Sequence, residues 1–458
     1  MTWMSGLDDW VVAIGILAAF ACALPGTFLL LRGMSMMGDA ISHAVLPGIA
    51  LGFLVSGTRD NLWMFLGAAV AGVVTAVLTQ VLHRLGRLER GAAMGVVFTS
   101  LFAVGLVLIV QTADHVDLDP NCVLYGAIEL APLDTMMLLG WEIPRAVPLL
   151  VVVGLINLGL VLLFFKEFTV SAFDPGMARA SGIDARIMNQ VLMVMTAATC
   201  VACFEVVGSI LVVALLVVPA ATARLLSNRL PVIVLLAVII GAIAATLGHL
   251  SAITVPGWFP GGVEDTSTAG MMAVMAGVIF ALAWFLSPLH GLVFRASHQV
   301  RLRVRIASED ALGLLFRCEE RGESLSPDRI RQTLVDIAGS GPLVSRLAIS
   351  RLRWGGLIQR DDMSWGLSDA GRSRAREVIR SHRLWESWLW RHANLEADHL
   401  HDPAMRLEHV TDTQMQAELE RQTGSAPLDP HGQPIPGPGE QETGDSRSLP
   451  GGDGGGEG

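Results

Sequence analysis

Long apolar runs that contain almost no charged residues recur between Trp10 and Phe294. A helix that crosses a bilayer needs about 20 predominantly apolar residues, because its backbone polar groups must all be paired within the lipid. Residues 1–294 are therefore expected to form a polytopic transmembrane helical bundle with about eight or nine spans. The runs lie near residues 10–31, 40–56, 62–82, 92–110, 146–165, 188–206, 208–223, 231–253 and 269–288.

Basic residues are concentrated on one side of these predicted spans. One alternating set of loops contains most of them, for example Arg84, Lys166 and Arg224, whereas the other set contains only Arg59 and Arg145. Loops rich in Lys and Arg remain in the cytoplasm. We therefore expect a multi-pass protein of the cell (inner) membrane, with its N-terminus outside and its C-terminal third in the cytoplasm.

Three ionisable residues within the apolar runs are candidates for a transport path, because a charged group in a span is costly unless it faces a cavity or a partner. Asp39 and His43 are one helical turn apart, and carboxylate and imidazole both bind Mn²⁺, Fe²⁺ or Zn²⁺. Alternatively, Asp39 caps a helix start and His43 bonds a neighbouring helix; the spacing leaves both interpretations open. Glu205 is the third candidate, and its alternative is a buried neutral carboxyl group.

The segment around Asp39 and His43 also carries a family resemblance. Residues 32–48, RGMSMMGDAISHAVLPG, closely resemble the signature of ABC transporter permeases for manganese, zinc and iron. Residues 173–183, FDPGMARASGI, and residues 206–223 agree with the same family, so that the resemblance covers about residues 10–290. It implies that Asp39 and His43 line the translocation path.

The resemblance also implies a set of partners. Residues 173–187 would form the coupling helix that docks onto an ATPase subunit. An extracytoplasmic metal-binding protein would deliver the ion, and a second permease subunit, identical or paralogous, would complete the channel. The chain contains no G-x-x-x-x-G-K-[ST] phosphate loop, so we expect it to bind no nucleotide and to be no enzyme. The candidate coupling residues are Phe173, Asp174, Pro175, Ala178 and Gly182.

Charged residues become frequent after Arg295, which indicates a water-soluble region. Ser308 is expected to cap a first amphipathic helix, and residues 326–337 and 342–354 are expected to form two more. Two short strands follow, at residues 355–359 and 363–367. This order is typical of a winged helix-turn-helix, in which residues 342–354 would be the recognition helix.

A dense group of possible metal ligands follows the predicted hairpin. Within each helix these residues are three or four positions apart, so that their donor atoms lie on one face. A solvated His-rich helix face without any metal produces the same pattern. The residues are His382 and Glu386 on a first helix, and His401, Met405, Glu408 and His409 at a later one.

These residues lie in segments that resemble the iron- and manganese-dependent repressors of the diphtheria-toxin-repressor family. The segments are 381–386, SHRLWE, 401–410, HDPAMRLEHV, and 430–436, PHGQPIP, and the similarity covers about residues 307–437. Met405 occupies a position where Cys or Glu is usual. The resemblance implies one metal site at Asp310, Met405, Glu408 and His409, and a second at His382, Glu386 and His401.

The sequence thus predicts a permease subunit of an ATP-driven importer of Mn²⁺, Zn²⁺ or Fe²⁺ with a cytoplasmic metal-sensing domain. A membrane-tethered metal-responsive transcription regulator is the alternative, but one span suffices for an anchor, and nucleic acid is not the expected partner. Because protonated His cannot bind metal, binding to the sensing domain should weaken below about pH 6.5. The expected segments are 1–294 (permease), 295–306 (basic juxtamembrane linker), 307–375 (winged helix), 376–437 (helical metal-binding and dimerisation domain) and 438–458 (disordered tail).

Overall fold

The computed structural model consists of two compact units, Met1–Arg295 and Ala296–Gly458. The expectation of a mainly α-helical fold is confirmed. Residues 438–458, expected to be a disordered tail, lie outside the described residues. The described residues are 4–44, 46–56, 61–112, 128–138, 140–256, 266–289, 291–323, 326–338, 341–361, 364–393, 395, 399–424 and 427–437.

The first unit is a helical bundle. Among the residues described, nine helical segments are long and apolar enough to cross a membrane, if α2 and α3 are taken as one span, and this confirms the predicted polytopic bundle. Large apolar side chains such as Val55 and Leu163 are exposed on its surface, as lipid-facing residues are. The helices are α1 Leu7–Leu31, α2 Met37–Ala44, α3 Leu46–Ser56, α4 Asn61–Leu85, α5 Arg90–Thr112, α6 Ala146–Leu163, α7 Phe165–Phe173, α8 Pro175–Ala180, α9 Ala185–Val207, α10 Ser209–Leu226, α11 Leu230–Thr254 and α12 Thr268–Leu286.

Small residues allow these helices to pack closely. A Cβ atom built on Gly48 of α3 would lie 2.2 Å from the carbonyl oxygen of Gly67 in α4, and one built on Gly26 of α1 would lie 2.0 Å from the carbonyl oxygen of Leu216 in α10. In lipid there is no hydrophobic driving force for helices to associate, because the lipid tails are as apolar as the side chains. Close van der Waals packing of the backbones contributes to association instead. The glycines of these apolar runs therefore hold the bundle together.

The run of apolar residues around Phe204–Ser209 is divided into two helices. Helix α9 ends at Val207 and α10 begins at Ser209, with Gly208 between them at φ 78° and ψ 164°. Residues with a Cβ atom rarely adopt this positive φ. Glycine at this position is therefore what permits the chain to change direction here.

A short β-hairpin lies between α5 and α6 and was not predicted. Strand β1, Thr135–Leu138, pairs antiparallel with β2, Trp141–Pro144. Gly140 precedes β2 at φ 86°, which is typical of hairpin turns. The sequence signal was this glycine between two short runs that contain Thr, Ile and Trp.

The second unit begins with a long helix and has the predicted winged-helix order. Its first helix, α13, runs continuously from Leu292 to Arg321, so the expected start at Ser308 is wrong. The Ser308 hydroxyl instead donates to the Val304 carbonyl oxygen at 2.6 Å within the helix. Residues 295–306 contain neither Gly nor Pro, and nothing in them stops the helix. The elements are α13 Leu292–Arg321, α14 Pro327–Ala338, α15 Pro342–Trp354, β3 Ile358–Asp361, β4 Ser364–Leu367, α16 Asp369–His392, α17 His401–Leu407, a 3-10 turn Glu408–Val410 and α18 Thr413–Gln422.

An apolar core fixes α13 relative to α16. Leu312 and Phe316 of α13 pack with Leu334, Ile349 and Ile379, and all five side chains are buried. Burial of each such side chain stabilises the fold by about 1.5–3 kcal/mol. The core therefore holds the polar residues just before Leu312 at a fixed position against the C-terminal helices.

Candidate metal sites

Asp39 and His43 come together on α2, as their spacing predicts. The Nε2 atom of His43 lies 3.5 Å from Oδ1 of Asp39, and the two side chains are 31% and 37% exposed, respectively. The His43 ring stacks on Phe98 at 6.0 Å between centroids and meets the edge of Phe102 at 5.6 Å. The pair is thus held at the contact between α2 and α5, with both side chains partly exposed. Glu205, the third candidate, lies near the C-terminal end of α9.

The candidate coupling segment forms the short helix α8 with a defined start and end. Asp174 is its N-cap, and its Oδ1 atom accepts hydrogen bonds from the backbone N–H groups of Gly176 and Met177 at 2.8 and 3.0 Å. Pro175 occupies the first turn, where its missing N–H is not needed. Gly182 follows the helix at φ 77°. These residues define where the short helix begins and ends.

The coupling segment presents an apolar surface to its surroundings. Phe173 is 63% exposed and Met177 is 61% exposed, whereas Ala178 is completely buried. Exposed Phe and Met side chains are characteristic of protein–protein contacts. A docking partner would therefore touch Phe173 and Met177, and Ala178 would support the helix from behind.

In the second unit, Asp310, Glu408 and His409 bring their ligand atoms within 4.8 Å of one another. The Nε2 atom of His409 lies 3.1 Å from Oδ1 of Asp310 and 3.6 Å from Oε1 of Glu408. Asp310 and Glu408 also line a small cavity of about 40 Å³, and Met405 and Gly313 line the same cavity. Helix α13 therefore brings one possible ligand to this group, and the chain from α17 onward brings the others that the resemblance implied. We call this group the α13 cluster.

Glu309 is a member of this group that the sequence reasoning missed. Its Oε2 atom lies 2.9 Å from Nδ1 of His409, so that the imidazole is held between two consecutive residues of α13. Arg305 also contacts Glu309, with Nε 3.1 Å from Oε1. A carboxylate on the far nitrogen of a ligating imidazole fixes the orientation of the ring. Spacing could not reveal this contact, because neighbouring residues of a helix point about 100° apart.

His382, Glu386 and His401 form a second group, which we call the α16 cluster. The Nε2 atom of His382 lies 2.9 Å from both Oε1 of Glu386 and Nδ1 of His401. The first two side chains are buried, whereas His401 is 47% exposed. The Nε2 atom of His431 lies 3.9 Å from Glu386, and this histidine was not among the predicted ligands. The exposed imidazoles leave a path from solvent to the buried donors.

The carboxylates determine the protonation state of His409. Burial by itself lowers the pKa of His409, but hydrogen bonds to Asp310 and Glu309 outweigh it and raise the pKa to about 10. In return, and against the effect of burial, His409 and Arg305 lower the pKa of Glu309. A proton therefore competes with a metal ion for His409 throughout the neutral range, so we expect the weakening of metal binding at low pH to begin above pH 6.5.

Hydrogen bonds between imidazoles and carboxylates also shift the pKa values of His382 and Glu386 in the α16 cluster. Burial lowers the pKa of His382, but hydrogen bonds to Glu386 and Glu408 raise it more. Burial raises the pKa of Glu386, but hydrogen bonds from His382 and His401 hold it well below its usual range. Two imidazoles and a carboxylate are a suitable donor set for Mn²⁺, Fe²⁺ or Zn²⁺, and carboxylates, imidazole and a thioether are suitable in the α13 cluster.

Comparison with known proteins gives two family matches. Residues 7–287 match the ABC 3 transport family. Residues 368–437 match the metal binding and dimerisation domain of the iron dependent repressors, a segment that contains the whole α16 cluster. Both resemblances seen in the sequence are thereby confirmed.

Individual relatives agree with the first match. The manganese transport system membrane protein MntD of Bacillus subtilis is 43% identical over 62% of this chain and 94% of its own length. The zinc transport system membrane protein TroD of Treponema pallidum is 41% identical over 62% of this chain and 75% of its own length. The structure of PsaBC from Streptococcus pneumoniae in complex with Fab matches with a TM-score of 0.52 and 29% identity, over 62% of this chain and 93% of that one.

The family match covers more than half of the chain and includes every candidate span. The polytopic bundle, the Asp39–His43 pair and helix α8 all lie within the matched residues 7–287. The protein is a multi-pass membrane protein that belongs to the ABC 3 transport family, with a domain of the iron-dependent-repressor type following the permease in the same chain.

Proposed function

We propose that the chain is the membrane permease subunit of an ATP-driven importer of a divalent transition metal ion, Mn²⁺, Zn²⁺ or Fe²⁺. The observation that carries this proposal is the accessible Asp39–His43 pair on α2. Manganese and zinc are the ions in the names of the relatives MntD and TroD. A carboxylate and an imidazole bind all three metals, so we assign the transported ion as a divalent transition metal and not as one element.

The pair can bind the transported ion without trapping it. An ion that passes through a membrane protein must be bound well enough to shed water and weakly enough to leave. One carboxylate and one imidazole supply only two ligands, and water or a second permease subunit completes the coordination. Because both side chains are partly exposed, the ion can reach them without unfolding of α2.

The energy for transport is proposed to enter through α8. A separate ATPase subunit would bind the exposed side chains of Phe173 and Met177, and an extracytoplasmic binding protein would deliver the ion on the opposite side. The basic loops of the permease support a cytoplasmic location for α8 and for the C-terminal unit. ATP hydrolysis is assigned to the partner, since this chain carries no phosphate loop.

The C-terminal unit is proposed to sense the imported metal and to reduce further uptake. Two clusters of suitable ligands lie in it, at Asp310, Glu408 and His409, and at His382, Glu386 and His401. Metal that accumulates in the cytoplasm would occupy them and shift the transporter toward an inactive state, which is a coupling between two distinct sites. Control of transcription is the second candidate, and the winged-helix order of α13 to β4 is the observation in its favour.

Reconstitution of the chain with its ATPase in proteoliposomes tests the transport function. We expect Asp39→Ala and His43→Ala each to reduce ATP-dependent uptake of Mn²⁺ or Zn²⁺ by more than about tenfold. Loss of a residue that only supports a metal ligand already has an effect of about this size. The matched control is Asp134→Ala, which removes an exposed carboxylate paired with Arg145 at 3.4 Å. Wild-type uptake by both path variants would overturn the assignment of the path.

A further inference from the structure

Helix α15, the recognition helix of the winged-helix order, has an exposed apolar stripe. Leu343 is 70% exposed, Leu347 42% and Trp354 92%. On an α-helix these three positions fall within roughly 40° of one another, and the exposed Ser350 lies on the same line. The opposite face already supplies the core with Ile349 and Leu352, so the unit does not need the stripe for its own folding.

Arginines flank this stripe, and the segment 342–354 contains no acidic residue. Arg346, Arg351 and Arg353 are all exposed. The guanidinium of Arg353 lies 5.2 Å from the ring centroid of Trp365 in β4, a cation–π contact that holds its charge beside the helix. The surface thus combines an apolar line with positive charge on its borders.

This combination is poorly suited to reading DNA. Sequence recognition in the major groove needs side chains that donate or accept hydrogen bonds at base edges. The arginines and Ser350 could form such hydrogen bonds, but the largest exposed areas of this face belong to Leu343, Leu347 and Trp354, which offer two aliphatic groups and an indole. A helix that exposes a large apolar area to water instead marks an interaction surface.

Anionic lipid matches both parts of the surface. Amphipathic helices that lie at a bilayer surface bury Leu and Trp at the level of the headgroups and carry Lys or Arg on their polar borders. Each basic residue near an anionic leaflet adds to the attraction. The spans of the same chain keep the unit permanently close to a membrane, so that even a weak contact is favoured by a high effective concentration.

We propose that α15 docks onto the anionic lipid surface of the membrane that the chain spans. Leu343, Leu347 and Trp354 insert at the level of the headgroups, and the flanking arginines contact lipid phosphates. The helix that would read DNA in a free repressor is then covered by lipid. This docking also gives the sensing unit a bound and a released state, between which metal can select.

The test uses the full chain in lipid nanodiscs. An environment-sensitive fluorophore is attached to Leu347→Cys in a Cys122→Ser background, since the other four cysteines are buried. We expect a blue-shifted emission and strong quenching by spin-labelled acyl chains when the nanodiscs contain phosphatidylglycerol, and weaker effects in phosphatidylcholine alone. The control label at Gln414→Cys, an exposed position of α18, should show neither effect.

Matched variants distinguish a lipid contact from self-association and from DNA binding. Arg346→Glu with Arg351→Glu, or Leu343→Ser with Trp354→Ser, should abolish the quenching while the far-UV circular dichroism of the full chain stays unchanged, which shows that the unit remains folded. Absence of lipid quenching in phosphatidylglycerol nanodiscs would overturn the proposal. So would a blue shift that depends on protein concentration or on added duplex DNA rather than on lipid, because it would assign the surface to a second copy or to nucleic acid.

Discussion

The Oε2 atom of Glu408 lies 2.6 Å from Nδ1 of His382, although the two residues belong to different metal-ligand clusters. The other oxygen of the same carboxylate lies 3.6 Å from Nε2 of His409. Glu408 therefore joins the α13 and α16 clusters through one side chain that is only 4% exposed. We therefore expect occupation of one site to alter the position or charge of a group at the other.

The first prediction concerns this shared carboxylate. We expect Glu408→Ala to weaken metal binding at both clusters, whereas His401→Ala should weaken it only at the α16 cluster. Loss of a ligand or its support reduces metal affinity by about 10- to 100-fold. Equilibrium dialysis of the full chain, with His43→Ala removing the transport site, measures the number of bound ions. A Glu408→Ala protein that loses one ion and keeps the other at unchanged affinity would contradict the shared role.

The second prediction concerns pH. The pKa of His409 is raised from 6.5 to about 10 in the folded protein, so the stabilising contact with Asp310 and Glu309 is complete below pH 6.5 and is lost as the pH rises through about 10. A metal ion must displace that proton, and affinity should increase by about tenfold per pH unit between pH 7 and 9. Calorimetry in two buffers of different ionisation enthalpy should show the released proton. His409→Ala should remove this release, whereas His298→Ala, at an exposed position, should not.

The third prediction concerns the coupling helix. A cysteine at the exposed Met177 should cross-link to a partner ATPase, whereas one at the buried Ala178 should react with neither the partner nor a soluble maleimide. Cross-linking in membranes followed by mass spectrometry identifies the partner. Modification of Met177→Cys only by reagents added outside the cell would show that α8 is not cytoplasmic.

The fourth prediction concerns the packing of α3 on α4. Gly48→Ala would place a Cβ atom 2.2 Å from the Gly67 carbonyl oxygen, and the helices would have to separate. Overpacking of this kind costs about 1–3 kcal/mol, and the apparent Tm in detergent should fall. Gly95→Ala is the matched control, because nothing lies within 4 Å of its added Cβ atom. Equal Tm values for the two variants would argue against the close approach.

The sequence was sufficient for features that depend on length and periodicity. Apolar runs long enough to span a bilayer predicted the bundle, and i, i+4 spacing predicted the contacts of Asp39 with His43 and of His382 with Glu386, because both pairs lie within one helix. The convergence of Asp310 with His409, which are far apart in the sequence, was implied by the family resemblance. Nothing in the spacing of the residues brings those two segments together.

The features that were missed depend on tertiary structure. Glu309 contacts His409 only because the apolar core sets α13 at a particular rotation against the C-terminal helices. Ser308 matched the composition of a helix cap, but a cap signal acts only where the preceding residues leave the helix, and here they continue it. Strands β1 and β2 have only four residues each, which is too short for alternating apolar and polar residues to indicate a strand.

The proton on His409 has a consequence for what the metal does. The protonated imidazole of His409 offsets the negative charge of the carboxylates of Asp310, Glu309 and Glu408, whose side chains are all largely buried. A zinc finger unfolds without its ion because nothing replaces the ion among the ligands. The raised pKa of His409 supplies a proton that can take this place, so we expect the unit to fold without metal and the ion to act as a signal. A chelator would reset this unit to its resting state and leave its fold standing.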